Sequence, residues 1–190
     1  MDIIIIHGAP GNGKTTISKK LHEALKSPWF EFGWIPEFRM LNPYTEISFK
    51  DEETMSFENL VLVCRNYIKH KFKNIIISDL NDKRILDIPT IFNNHSHIIF
   101  TLYSENNDII KDRILKRDNT NTYKDFDQAI KINNTIKQRP TLPNEYRIRT
   151  DNHSANEVTN QVLQLLNNHQ FNQTFSHKDH NPNNYFSYTD

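Results

Sequence analysis

A glycine-rich loop directly after the first apolar run constrains the fold of this chain more than any other feature. Three of the four glycines, Gly8, Gly11 and Gly13, lie within six residues, and a lysine follows the last of them. The stretch fits the pattern G-x-x-x-x-G-K-[ST], the phosphate-binding P-loop. Residues 3–6 are all isoleucine and a helical pattern follows the loop. This is the strand–loop–helix context that the motif requires, and an ordinary strand-to-helix turn is the alternative.

The residue types in the loop suit the binding of a nucleoside triphosphate. Glycines let backbone N–H groups close around phosphate oxygens, and the N-terminus of the following helix adds partial positive charge. We expect Lys14 to reach the β- and γ-phosphates and the Thr15 hydroxyl to bind Mg²⁺. The predicted nucleotide contacts in the loop are Gly8, Ala9, Pro10, Gly11, Asn12, Gly13, Lys14, Thr15 and Thr16.

Charge and cysteine content narrow the class of protein. The 190 residues include 23 basic and 23 acidic side chains, so no net charge attracts nucleic acid or a membrane surface. The single cysteine, Cys64, cannot form an internal disulfide, which suits a reducing compartment. The apolar run at residues 3–6 is too short to cross a bilayer and lacks a basic leader. We expect a cytoplasmic protein that binds neither nucleic acid nor membranes.

Apolar runs and helical patterns alternate along the chain, which predicts a doubly wound α/β fold with a parallel sheet. The predicted strands are residues 3–7, 30–35, 74–79, 96–103 and 145–150. The predicted helices begin near Lys14 and cover residues 52–72, 83–88, 107–117 and 124–137, with a last helix after the capping box at Ser154 and Glu157. Pro89 is expected to stop the third helix. The domain covers residues 1–166, and the polar residues 167–190 are expected to form a flexible tail.

Acidic residues follow two of the predicted strands, at the sheet edge where ligands bind in such folds. Asp79 closes the third strand and is expected to support Mg²⁺, with a turn-capping role as the alternative. Glu37 and Arg39 follow the second strand. Glu37 can take a proton from an acceptor hydroxyl and Arg39 can hold an anionic group, or the two can form an exposed ion pair.

Two further patterns bear on the site. Arg113 and Arg117 share a helix face before the polar residues 118–122, which predicts a lid over residues 113–139 that closes positive charge over phosphates. Arg139 is an additional lid candidate. The alternative to a lid is a solvated helix whose charges pair locally, for example Asp112 with Lys116. Among the aromatic residues, Phe38 and Tyr44 are candidates for a substrate wall. The same-face aromatic residues of the second strand are expected in the core, namely Phe30, Phe32 and Trp34.

The chain resembles the small-molecule kinases of the P-loop class. The features that carry the resemblance are the P-loop, the acid after the third strand, the basic lid and the late pair Thr150–Asp151. The class includes nucleoside monophosphate kinases, shikimate-type kinases and antibiotic phosphotransferases. The resemblance implies a five-stranded parallel sheet, ATP with Mg²⁺, and a lid that carries arginines. It also places Asp151 near the adenine, and Glu37 and Arg39 near the acceptor. The sequence departs from adenylate kinases, whose Asp-Gly-Phe-Pro-Arg run is Asp-Leu-Asn-Asp here.

The sequence therefore predicts an enzyme that transfers the γ-phosphate of Mg-ATP to a small-molecule acceptor, such as a nucleoside, nucleotide or similar hydroxyl compound. Its predicted catalytic residues are Lys14, Glu37, Asp79, Arg113 and Arg117. Two other functions stay open. A nucleotide-dependent switch is disfavoured because no guanine-reading Asn-Lys-x-Asp run occurs. The second is a non-catalytic ATP-binding domain.

Overall fold

A five-stranded parallel sheet forms the centre of the molecule. The computed structural model describes residues 2–35, 47–80, 82–117 and 123–169. The strands are β1 (Asp2–Gly8), β2 (Trp29–Glu31), β3 (Asn74–Ser78), β4 (Ser96–Tyr103) and β5 (Glu145–Arg149). Their order is β2-β3-β1-β4-β5, and every neighbouring pair is parallel. The predicted doubly wound α/β fold is confirmed.

Helices cover both faces of this sheet. They are α1 (Lys14–Leu25), α2 (Phe49–Lys69), α3 (Asp82–Ile91), α4 (Asn107–Leu115), α5 (Phe126–Gln138) and α6 (Ala155–Asn168). The predicted capping box of α6 is present, because Ser154 accepts from the Glu157 backbone and the Glu157 carboxylate accepts from the Ser154 backbone. Within the described ranges, no helix combines the length and apolar character needed to cross a membrane.

The isoleucine run in β1 is buried on both faces, as a central parallel strand requires. Ile3 and Ile5 point into an apolar cluster with α2 and α3, whereas Ile4 and Ile6 point into a second cluster with α1 and α6. Alternate side chains of a strand point to opposite faces, so one four-residue run contributes to both cores. Full burial of each such side chain is worth about 1.5–3 kcal/mol.

The predicted second strand is wrong beyond Glu31. β2 pairs only with β3, through the register Trp29↔Ile76, Phe30↔Ile77 and Glu31↔Ser78. β3 ends at Ser78, and the chain then leaves the sheet at Asp79, whose φ is 59°. An edge strand without a partner cannot continue, so the next residues, Phe32–Trp34, form a 3₁₀ turn.

The predicted stop at Pro89 is also wrong, because α3 continues through it to Ile91. Proline in a helix forfeits its own backbone hydrogen bond and strains the preceding turn. Here the buried side chains Ile85, Ile88 and Phe92 pack the segment against the sheet on both sides of the proline. Tertiary packing thus outweighs the local preference.

Candidate functional site

The P-loop connects the carboxyl end of β1 to the N-terminus of α1 through three glycines with positive φ, 140°, 87° and 86°. A Cβ atom on Gly8 would lie 2.4 Å from the Leu102 carbonyl oxygen of β4, so any side chain would separate two paired strands. At Gly13 a Cβ would meet nothing within 4 Å, and the left-handed backbone alone favours glycine. The loop leads into the N-terminus of α1, the end of a helix at which anions bind.

The Lys14 ammonium group connects the loop to β3. It donates to the Gly8 carbonyl oxygen at 2.8 Å and lies 3.2 Å from Asp79 Oδ1. The positive charge of Lys14 lowers the pKa of Asp79, so this carboxyl group is ionised at neutral pH. The structure thus brings together two predicted site residues that are 65 positions apart in the sequence.

Glu31 lies in the site but is not among the site residues predicted from the sequence. It is the last residue of β2, and its Oε1 accepts a hydrogen bond of 3.0 Å from the Thr15 hydroxyl. Its other oxygen, Oε2, is buried and has no hydrogen-bond partner in the described part of the chain. Burial raises the pKa of Glu31, and the nearby Asp79 adds to that effect. A second strand that ends at residue 35 predicts Glu37 at the sheet edge, whereas the observed end of β2 at Glu31 places Glu31 there.

These side chains line one cavity of about 690 Å³ at the carboxyl edge of the sheet. Its wall consists of loop residues, two carboxylates, one arginine and two aromatic rings: Pro10, Lys14, Thr15, Thr16, Glu31, Gly33, Trp34, Asp79, Arg117 and Tyr123. Arg117 acts to lower the pKa of both Glu31 and Asp79. Of the predicted catalytic residues, this cavity therefore gathers Lys14, Asp79 and Arg117.

Trp34 was expected in the core, and that expectation is wrong. Its side chain is 51% exposed. One side of the indole packs against Trp29 and Phe30, with ring centroids 4.8 and 5.6 Å away. The 3₁₀ turn after β2 breaks the two-residue periodicity, so Trp34 leaves the face on which Phe30 packs and joins the cavity wall.

A second cavity of about 320 Å³ also borders the P-loop. Its wall consists of Gly11, Asn12, Gly13, Thr16, Ile17, Arg113, Arg117, Thr150, His153, Ala155 and Val158. Thr16 and Arg117 line both cavities. Both cavities therefore lie beside the first turn of α1.

Arg113 is anchored in the second cavity. Its guanidinium donates to the Thr150 hydroxyl at 3.0 Å, to the Thr150 carbonyl at 2.9 Å and to the Gly11 carbonyl at 3.4 Å. These bonds connect α4 to the P-loop and to the segment after β5. Arg113 therefore forms a fixed part of the cavity wall in this structure.

Asp151 lies beneath that wall and is 1% exposed. Its carboxylate accepts from the Ser104 hydroxyl, from Glu105 N at 2.6 Å and from Arg149 Nε at 2.8 Å. Burial acts to raise its pKa, but these hydrogen bonds bring the pKa down to about 2. The neighbours Thr150 and His153, rather than the Asp151 side chain, line the cavity.

Arg139 was expected in a lid, and the structure places it elsewhere. Its guanidinium pairs with Glu145 at 2.6 and 2.9 Å, and both side chains are almost completely buried. Burial opposes ionisation of Glu145, but the hydrogen bonds from Arg139 lower its pKa overall. Glu145 begins β5 beside Ile99 in the middle of β4, and neither Glu145 nor Arg139 lines either cavity.

Several predicted positions fall outside the described residues. Glu37 and Arg39, the predicted acceptor residues, are among them, as are the aromatic candidates Phe38 and Tyr44. The polar lid segment 118–122 and residues 170–190 are outside them as well. In the described range, α6 continues two residues past the predicted domain end, to Asn168.

The donor groups in the larger cavity fit Mg²⁺. Thr15, Glu31 and Asp79 offer hydroxyl and carboxylate oxygens, the ligands that this ion prefers. In the chain segments that the structure describes, no cluster of three or more His, Cys, Asp or Glu side chains forms a closed metal site. A magnesium ion bound through one or two protein oxygens needs no such cluster, because phosphates and water supply its other ligands.

Comparison with known proteins agrees with this geometry. A family model described as chloramphenicol phosphotransferase-like protein matches residues 1–64. Among solved structures, a sugar kinase from Janibacter sp. aligns with a TM-score of 0.61 and 16% identity, over 88% of this chain and 95% of that one. The fold is that of the P-loop kinases. The resemblance predicted from the sequence is confirmed at this level.

Two further solved structures share this fold. Shikimate kinase from Acinetobacter baumannii aligns with a TM-score of 0.54 and 20% identity, over 88% of this chain and 93% of that one. A tunicamycin resistance protein from Deinococcus radiodurans aligns with a TM-score of 0.60 and 17% identity, over 87% and 95%. A search among curated proteins found no match.

Proposed function

We propose that this chain is an ATP-dependent kinase that phosphorylates a hydroxyl group of a small molecule. The observation that carries the proposal is the position of Glu31. Glu31 lines the same cavity as Lys14, Thr15, Asp79 and Arg117, and its buried Oε2 has no hydrogen-bond partner among the described residues. A carboxylate with a raised pKa beside a phosphate-binding loop suits proton abstraction from an acceptor hydroxyl.

In the proposed reaction, the acceptor hydroxyl transfers its proton to Glu31 as its oxygen attacks the γ-phosphorus of ATP. The bond between the γ-phosphorus and the bridging oxygen breaks, and ADP leaves. Lys14, Arg117 and the loop amides stabilise the charge on the transferring phosphoryl group. Thr15 and Asp79 are the proposed Mg²⁺ ligands. When bound, the ion neutralises charge on the β- and γ-phosphates.

The two cavities suggest how donor and acceptor are arranged. The smaller cavity, next to Arg113, Thr150 and His153, suits the nucleoside part of ATP, and the prediction that the segment beginning at Asp151 lies near the adenine remains a proposal. The phosphates then extend along the loop amides to Lys14, which lines the larger cavity. The acceptor occupies that larger cavity beside Glu31.

Two aromatic side chains in the larger cavity bear on the acceptor. Trp34 and Tyr123 present flat apolar surface there, which packs well against rings. We therefore propose a hydroxyl compound that carries an aromatic ring or the apolar face of a sugar ring. Chloramphenicol, named in the description of the matching family model, and sugars, named for one structural neighbour, belong in the first test panel.

The test is ADP formation from Mg-ATP in the presence of chloramphenicol, sugars, shikimate, nucleosides and aminoglycosides. The proposal predicts turnover that depends on one acceptor class and is abolished in Lys14→Ala. Lys19→Ala is the matched control, because Lys19 is exposed on the same helix. ADP formation that needs no acceptor would favour a nucleotide-dependent switch. ATP binding without turnover across the panel would favour a non-catalytic nucleotide-binding domain.

A further inference from the structure

A buried asparagine of α5 contacts the P-loop across 121 residues of sequence. Asn133 is completely buried. Its Oδ1 accepts from Asn12 Nδ2 at 2.9 Å and from Ser104 N at 3.0 Å, and its Nδ2 donates to the Ser104 carbonyl at 2.8 Å. Three hydrogen bonds thus fix its orientation, and one of them ends on the middle residue of the glycine-rich loop.

The same asparagine also holds the turn that follows β4. Ser104 lies just after that strand, and both polar groups of its backbone bond to Asn133. The Ser104 hydroxyl and the Glu105 backbone bond to Asp151, which follows β5. Asn133 therefore joins the P-loop to the segment whose residues Thr150 and His153 line the smaller cavity.

Besides the contact with Asn133, the centre of the loop has only long hydrogen bonds among the described residues, including the 3.4 Å bond from Arg113 to the Gly11 carbonyl. Asn12 lies between Gly11 and Gly13, both with positive φ, and its backbone N–H makes a long bond of 3.3 Å to the Ala9 carbonyl. Glycines on either side leave many backbone conformations accessible, so a side-chain anchor selects the one that turns amides toward phosphate. The Asn12 side chain is 1% exposed, and its Nδ2 bonds to Asn133.

We infer that Asn133 is a positioning residue for nucleotide binding, which acts through Asn12 to preorganise the P-loop and sets its place relative to the smaller cavity. This inference rests on the proposed function, because it assumes that the loop binds ATP. It adds a role for α5: the helix that follows the polar segment 118–122 also holds the phosphate loop.

The test measures ATP affinity of the full chain by calorimetric titration in Mg²⁺ buffer, well below the unfolding temperature of each variant. Asn133→Ala and Asn12→Ala are each expected to weaken ATP binding about tenfold, the effect of one lost buried hydrogen bond. The double variant should weaken binding by far less than the product of the two single effects, because both remove the same contact. Asn134→Ala, the adjacent asparagine on α5, is the matched control and should bind ATP like the wild type.

A purely structural role for Asn133 would lower the unfolding temperature and leave the ATP affinity of the folded protein unchanged. Wild-type affinity in folded Asn133→Ala would therefore overturn the inference, as would fully multiplicative effects in the double variant. If Asn133→Ala does not fold, Asn12→Ala breaks the same contact from the loop side, and wild-type affinity there overturns it equally. Absence of ATP binding by the wild type would instead refute the proposed function, and the inference with it.

Discussion

Replacement of Glu31 by glutamine tests the proposed chemistry most directly. Glutamine has nearly the same shape as glutamate, and its amide oxygen can still accept the 3.0 Å hydrogen bond from Thr15. The P-loop and the 3₁₀ turn after β2 should therefore keep their positions. What the substitution removes is the negative charge and the ability to take up a proton.

The expected loss of activity is large. Removal of a general base costs about 10²–10⁴-fold in rate, or about 3–5 kcal/mol of transition-state stabilisation. The KM for ATP should change less than kcat, because Glu31 is not part of the smaller cavity proposed for the nucleoside and its glutamine substitute can still accept from Thr15. The effect should therefore appear in kcat.

The raised pKa of Glu31 has two consequences with opposite signs. Activity needs the ionised carboxylate, so kcat/KM should rise with pH through an acidic limb that lies above the usual range of glutamate. Stability has the reverse dependence: the folded state holds this proton more tightly than the unfolded state, so ionisation of Glu31 costs stability as pH rises through that window. Glu31→Gln should thus lose the acidic limb and unfold at a higher temperature at neutral pH.

The assay is steady-state ADP formation with the best acceptor of the panel between pH 5 and 9, alongside thermal unfolding. Glu23→Gln, an exposed glutamate on α1, is the matched control and should leave both measurements unchanged. Retention of more than about a tenth of wild-type kcat by Glu31→Gln, with the acidic limb intact, would refute the role of this carboxylate as the base.

Two further substitutions test the structural assignments. Arg139→Met leaves Glu145 buried without its partner and should lower the free energy of unfolding by about 3–5 kcal/mol in urea titrations. The KM for ATP should stay at the wild-type value, and a raised KM in the folded variant would restore Arg139 as a lid residue. Gly8→Ala places a Cβ 2.4 Å from the Leu102 carbonyl oxygen and should destabilise the fold far more than Gly13→Ala, whose Cβ meets nothing within 4 Å. Equal unfolding temperatures for the two variants would contradict the close approach of β1 and β4.

Much of the fold could be predicted because its signals are local. The isoleucines of β1 and β3 read as buried parallel strands, and the capping box of α6 marks its start to the residue. The end of β2 could not be predicted this way. Its length depends on where β3 stops, and that partner lies more than 40 residues away along the chain. A strand that ends at residue 35 therefore predicts Glu37, rather than Glu31, at the sheet edge.

The candidate site likewise combines residues that local sequence predicts with residues that only the fold brings together. Lys14 and Thr15 could be predicted to lie together because a P-loop places its residues within eight consecutive positions, and both line the larger cavity. Arg113 and Arg139 are both basic residues of the predicted lid, and the sequence did not show that only Arg113 contacts the P-loop. Arg113 joins the P-loop, whereas Arg139 pairs with the buried carboxylate of Glu145, outside both cavity walls. Only the packing of α4, α5 and β5 decides which groups each guanidinium contacts.

The sequence by itself determined that a phosphate-binding loop opens a parallel α/β sheet, because glycine spacing and β-branched runs act through local backbone geometry. The tertiary structure alone decided which side chains meet that loop. Glu31, Asp79 and Asn133 come from β2, the end of β3 and α5, and strand order and helix packing bring them to one sheet edge. Such contacts join residues far apart in the chain, and their formation depends on burial and pairing that no short stretch of sequence specifies.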